Sequence, residues 1–170
     1  MTQFDPVTEA FLAELRDRLL RMYPEQIRAC LEKLTDEQLW WRPNDQTNSI
    51  GNLLLHLSGN INHYLGRGVA TTGYMRNRRA EFDEKGPVPR VDLIARWESS
   101  LEVAQQALDS LTPERLLEEA ELGRESQQIA RLFVAVTTHY NSHVGQIIYV
   151  TKMLKEGTFA DELWRRVGDR

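Results

Sequence analysis

A chain of 170 residues with a net charge of −4 and one cysteine has the length for a domain with its own core, and has no disulfide framework or cysteine-based zinc finger. Its basic residues do not gather into one long stripe, which argues against general nucleic-acid binding. No apolar run approaches the roughly 18 residues of a membrane span, and the opening M-T-Q-F-D-P has neither the basic nor the apolar region of a signal peptide. The expectation is a single domain over 1–170, cytoplasmic, with no nucleic-acid or membrane partner.

The pattern is helical nearly throughout. Asp5-Pro6 reads as an N-cap followed by proline at the first helical position. Phe11, Leu12, Leu15, Leu19, Met22, Ile27, Leu31 and Leu34 then recur at three- and four-residue spacing. Pro24 interrupts this run and predicts a kink or break near Tyr23, because an interior proline removes a hydrogen bond and clashes with the preceding turn. Thr35 to Gln38 opens a short helical turn that ends at Trp40-Trp41-Arg42-Pro43, and 44–48 reads as a loop.

Ser49 is the expected N-cap of a second long helix, about 50–69, which Gly66, Gly68 and Gly73 bring to a close. The charged stretch from Arg76 to Pro89 reads as a long crossover. A third helix is expected over about 91–111, with Leu93, Ile94, Trp97, Leu101, Ala104 and Leu108 on its apolar face. The stretch 116–123 fits either a turn or a short extended segment. Ser126 is expected to cap a fourth long helix over about 127–154 that Gly157 closes, and 158–170 is weakly specified. Four long amphipathic helices joined by unequal connections predict an all-α four-helix bundle. Trp40, Trp41 and Trp97 are expected to pack, with a dimer contact as the alternative for an exposed tryptophan pair.

Chemistry concentrates in the histidines, of which the chain has only four. His139 and His143 lie four apart in T-T-H-Y-N-S-H-V-G-Q, so on a helix they share one face and their imidazoles can hold one ion. His56, in S-I-G-N-L-L-L-H-L, offers a third nitrogen from another helix. Three neutral imidazoles leave a fourth position for water or substrate, as in catalytic rather than structural zinc sites. Asn52, His56, Asn60 and His63 fall on one side of the second helix. Leu132, Ala135, Val136, His139, His143 and Gln146 share a stripe of the fourth. Both polar strips interrupt surfaces that otherwise read as core. An H-x-x-x-H pair also arises by chance, and a lone histidine on an apolar helix is usually a packed residue hydrogen-bonded to a neighbour. That bland reading is assigned to His63, which stands roughly 10 Å along the helix axis from His56. Tyr140 occupies the place where helical metalloproteases carry a glutamate, so that mechanism is not supported.

The blocks W-W-R-P (Trp40 to Pro43), N-S-I-G-N-L-L-L-H-L-S-G-N (Asn48 to Asn60), R-N-R-R-A-E-F (Arg76 to Phe82) and H-Y-N-S-H-V-G-Q-I (His139 to Ile147) stand in an order and spacing that resembles the DinB-like (YfiT-like) superfamily. The resemblance covers about 11–154. It implies an up-down-down-up bundle with its long crossover between the second and third helices, often a homodimer. It also implies one divalent metal ion per chain, zinc or nickel, held by His56, His139 and His143. Superfamily members of known activity include thiol-dependent isomerases and S-transferases and metal-dependent hydrolases.

Three functions fit these expectations. In a thiol S-transferase, the metal activates a low-molecular-weight thiol toward an electrophile, because the thiolate is the nucleophilic form. In a hydrolase, metal-bound water attacks a carbonyl and a nearby general base helps. In a non-catalytic, stress-related binding protein, the metal only ties helices together and its binding energy is folding energy. The absence of an acidic residue from the two histidine stripes favours thiol transfer. Arg76 and Arg78 are candidates to receive carboxylates of thiol or substrate, with an ion pair to Glu81 or Asp83 as the simpler alternative. Asn52, Asn60 and Gln146 are candidates to orient the imidazoles.

Overall fold

A computed structural model describes residues 4–123, 125–155 and 159. The chain runs as α1 (Pro6–Asp17), a π-helical turn (Arg18–Met22), α2 (Tyr23–Lys33), α3 (Asp36–Trp40) and α4 (Ile50–Ile61). A second π-helical turn (Asn62–Arg67), α5 (Arg78–Asp83), α6 (Arg90–Asp109), a 3-10 turn (Arg115–Leu117), β1 (Glu119–Glu121), β2 (Ser126–Gln128) and α7 (Ile129–Leu154) follow. Asp5 caps α1 by accepting from the amides of Val7 and Thr8. Thr35 and Ser49 both close full capping boxes, with Gln38 and Asn52 returning the second bond.

The direction of each helix follows from its cross-helix contacts. Arg16 pairs with Asp109 at 2.7 Å and Arg28 with Glu98 at 3.2 Å, so the α1–α2 rod runs antiparallel to α6. Ser58 donates to the carbonyl of Arg96, and Gly66 lies against Val103, so α4 and α6 run parallel. His56 meets His139, and Tyr64 shares a cavity wall with Leu132, so α4 and α7 are antiparallel. Tyr23 stacks on Tyr140 and Cys30 lies against Thr151, so α2 and α7 are parallel. The result is an up-down-down-up bundle whose long crossover links α4 to α6. Its buried apolar side chains form one cluster, in which the Trp97 indole donates to the Tyr140 hydroxyl at 2.7 Å.

The structure refines several local expectations. Of the kink or break expected near Tyr23, there is no break: helical structure runs on through Pro24, with an irregular turn just before Tyr23. The π turn ending at Met22 comes just before it, with the Tyr23 amide donating to the Arg18 carbonyl, and this widened turn absorbs the proline's missing donor and its steric demand. Ser126 does not cap α7. It pairs with Glu121 in the β1–β2 hairpin, and α7 starts at Ile129 after Gln128, which makes no side-chain cap bond. The stretch 116–123 thus holds an extended segment, and the crossover holds a short helix, α5, that periodicity did not reveal. Gly157 and 160–170 lie outside the described residues. Among the described residues no helix is long and apolar enough to cross a membrane.

Candidate metal centre

The centre forms where the middle of α4 faces the middle of α7. His56 is 3% exposed; its Nε2 stands 2.9 Å from Nε2 of His139. The His143 ring is edge-on to both, with centroids 4.9 Å from His56 and 4.5 Å from His139. One ligand nitrogen from each of the three histidines lies within 4.8 Å of the others. A tetrahedral ion with bonds of about 2.0–2.1 Å holds its nitrogens about 3.3 Å apart, so to accept one the 2.9 Å pair must part slightly and nitrogens as much as 4.8 Å apart must draw together. No other histidine, cysteine or carboxylate joins this group among the described residues.

Two of the rings have their tautomers set from behind. Nδ1 of His56 faces Glu81 Oε2 at 2.9 Å. An ionised carboxylate has no proton to give, so the hydrogen sits on Nδ1 and the Nε2 lone pair points into the cluster. Arg76 Nη2 lies 3.1 Å from the same Nδ1, but the guanidinium directs its protons to Glu81, at 2.7 Å from Nε and 2.8 Å from Nη2. Burial by itself would raise the Glu81 carboxyl, yet Arg76 and His56 outweigh it and hold the group below its usual range. Behind His143, Nδ1 donates to Gln146 Oε1 at 2.7 Å, which again frees Nε2. These are the backing bonds that metal-binding histidines use.

Glu81 was not legible as part of the site. It arrives from α5, is only 7% exposed, and sits where a side chain on α4 would be if residue 59 had one. A Cβ built on Gly59 would fall 2.1 Å from Glu81 Oε1. The sequence blocks cooperate to hold it there. Asn52 Nδ2 donates to the carbonyls of Glu81 (3.0 Å) and Glu84 (2.7 Å), and Arg42 bonds both Asn52 Oδ1 and the Glu84 carbonyl. Trp40 packs on Gly51 and on Gly86, whose φ of +75° suits a residue without Cβ. The Phe82 ring closes over His56 at 4.8 Å.

The other candidates take different places, with His63 and Arg76 in the simpler of the roles open to them. Among the described residues Asn52 bonds Ser49, Arg42 and the crossover backbone rather than an imidazole. Arg76 is committed to Glu81, the simpler of the two readings. His63 stands apart from the cluster, with its ring against Tyr64 and its buried Nδ1 unpaired among the described residues. Asn60 and Arg78 line a cavity of about 340 Å³ that opens beside His56 and His139.

Burial pushes His139 down to about 4, helped by His143, His56, Arg76 and Arg78. Burial likewise lowers His143. A histidine whose folded value lies below its unfolded 6.5 takes up protons more readily once unfolded. Its neutral form therefore supports the native state above that range, and stability falls as pH drops from 6.5 through about 4. The melting temperature of the metal-free protein should fall across this window by more than that of the His139→Asn variant. Equal falls would remove His139 as the cause.

The model of a family described as a protein of unknown function (DUF1572) matches residues 6–163. Among solved structures, the crystal structure of a DinB-like protein (YjoA) from Bacillus subtilis is similar, with a TM-score of 0.62. The two share 17% identity over 85% of this chain and 94% of that one, a likeness that speaks for the fold alone. No curated protein matches. With the family's model matching nearly the whole chain, the protein belongs to the DUF1572 family, and its fold is like that of a DinB-like protein.

Proposed function

We propose that this protein is a divalent-metal-dependent enzyme that activates a small thiol for transfer to an electrophile. The observation that carries this reading is the convergence of three imidazole nitrogens, with no fourth protein ligand among the described residues, at the edge of a cavity. A zinc or nickel ion bound there would supply Lewis acidity, lowering the pKa of a thiol taken at its open position. His56, His139 and His143 bind the ion, and Glu81 and Gln146 keep the first and last of these turned toward it. Leu132, Ala135 and Val136 give the cavity an apolar wall that limits water.

The position of Glu81 favours thiol transfer over hydrolysis. A hydrolase of this design gains from a base beside the open position. Glu81 stands on the far side of His56, and both its oxygens are already bonded. No other carboxylate lines the cavity among the described residues.

The test is to load the metal-free protein with zinc or nickel and follow glutathione, cysteine and 3-mercaptopropionate with monochlorobimane. Metal-dependent acceleration of at least about tenfold with one thiol, lost in His139→Ala, is the expected result. Metal-dependent cleavage of p-nitrophenyl acetate without any thiol requirement would replace this reading with the hydrolase.

A further inference from the structure

The cavity beside the histidine cluster carries an unbalanced charge. Three neighbouring arginines of the crossover differ in their partners. Arg76 is matched by Glu81, and Arg79 pairs with Asp83 at 2.9 Å. Arg78 has no carboxylate partner among the described residues. Its guanidinium lies over the Phe82 ring at 5.2 Å from the centroid, and it lines the cavity. Stacking on an aromatic face leaves the N–H edge of a guanidinium free for a planar anion. No carboxylate lines the cavity among the described residues and Arg76 is offset by Glu81, so Arg78 leaves the cavity with an excess positive charge, which a bound dication would raise further.

A second observation also points to a ligand. Asn60, one helical turn beyond His56, is only 6% exposed and lines the same cavity, yet its carboxamide has no hydrogen-bond partner among the described residues. Among the described residues only His63 Nδ1 and Thr137 Oγ1 are sealed off unpaired, so the Asn60 amide opens on the cavity, where a ligand can bond it. Leu132, Ala135 and Val136 give the cavity an aliphatic side, Tyr64, Arg76 and Gln127 complete its lining, and about 340 Å³ is at the small end for ligand sites.

We infer that this cavity takes a small carboxylate-bearing molecule with a short aliphatic body, its carboxylate received by Arg78 and its other end reaching the histidine cluster past Asn60. The inference rests on the metal reading above and adds the charge class of the molecule. Charge-assisted, two-point pairing of a guanidinium with a carboxylate supplies discrimination that a neutral alcohol of the same length does not receive.

The experiment compares 3-mercaptopropionate with 3-mercaptopropan-1-ol on the cobalt-loaded protein, read by the sulfur-to-cobalt charge-transfer absorption. The acid should bind at least about tenfold more tightly than the alcohol. Arg78→Gln should erase that ratio while leaving the alcohol's affinity unchanged, and Arg78→Lys should keep part of it. Equal affinities in the native protein, or a preference that survives Arg78→Gln, would overturn the inference. Should neither thiol produce the absorption, the thiol reading fails separately. Calorimetric binding of butyrate against butan-1-ol, with and without Arg78→Gln, then decides the anion preference by the same ratio.

Discussion

His143→Ala will lower divalent-metal affinity by more than about 100-fold, while His63→Ala will leave it within about threefold of native. Both are histidines on helices, but spacing already sets His143 in a pair with His139 and leaves His63 alone. Their surroundings separate them. His143 is edge-on to both other rings of the cluster, and its rear nitrogen is held by Gln146. His63 leans on Tyr64, with a buried nitrogen that meets nothing among the described residues. Losing one of three ligands leaves two imidazoles and no replacement donor nearby. Losing His63 removes a polar atom that was not paired. Competition with a chromophoric chelator measures both constants, and equal losses would remove the ligand assignment.

Gly59→Ala should reduce metal affinity by about 10–100-fold although residue 59 touches no ion. The added methyl would lie 2.1 Å from Oε1 and 2.7 Å from Cδ of Glu81, so the carboxylate must leave its seat. His56 then loses the acceptor that fixes its Nε2 lone pair toward the cluster. Arg76, a side chain only 9% exposed, loses its counter-charge. Breaking such a pair from one side costs about 3–5 kcal/mol in buried sites, so Glu81→Ala should also be strongly destabilised. Glu81→Gln separates positioning from packing. It keeps the shape and an acceptor for His56 but not the charge, so its affinity should fall while its melting temperature changes far less than that of Glu81→Ala. A Gly59→Ala protein that binds metal as tightly as native would show that the carboxylate behind His56 is irrelevant to the site.

The legible and illegible parts of this molecule divide by the range of the interactions behind them. Helices α4 and α7 and the sharing of a face by His139 and His143 follow from spacing alone, because a turn of helix is a local object. Ser49 was readable as a cap, and Thr35 as the opening of a short helical turn, for the same reason. Ser126 resembled them, a small hydroxyl residue ahead of an apolar run, yet hairpin pairing with Glu121 took its backbone. Neither E-A-E nor S-Q-Q has strong strand propensity, so nothing local announced that hairpin. Glu81 is the instructive miss. It lies 25 residues from His56 in the chain, on a six-residue helix without periodicity. Only the approach of the crossover to Gly59 brings it behind the imidazole. The clue in the sequence was the glycine itself, placed on an otherwise buried helix face where nothing local required one. Arg76 and Arg78 were likewise equivalent on paper; both line the cavity, and only the fold shows that the first is committed to Glu81 while the second has no carboxylate partner among the described residues.

The claim on which the rest depends is that His56, His139 and His143 hold one divalent ion. Elemental analysis of protein purified without a histidine tag, alongside His56→Ala and His139→Ala, tests it most directly. About one zinc or nickel per chain is expected in the native protein and little in either variant. A native protein that takes up neither metal after incubation with excess of each would contradict it and leave the three histidines as packing residues.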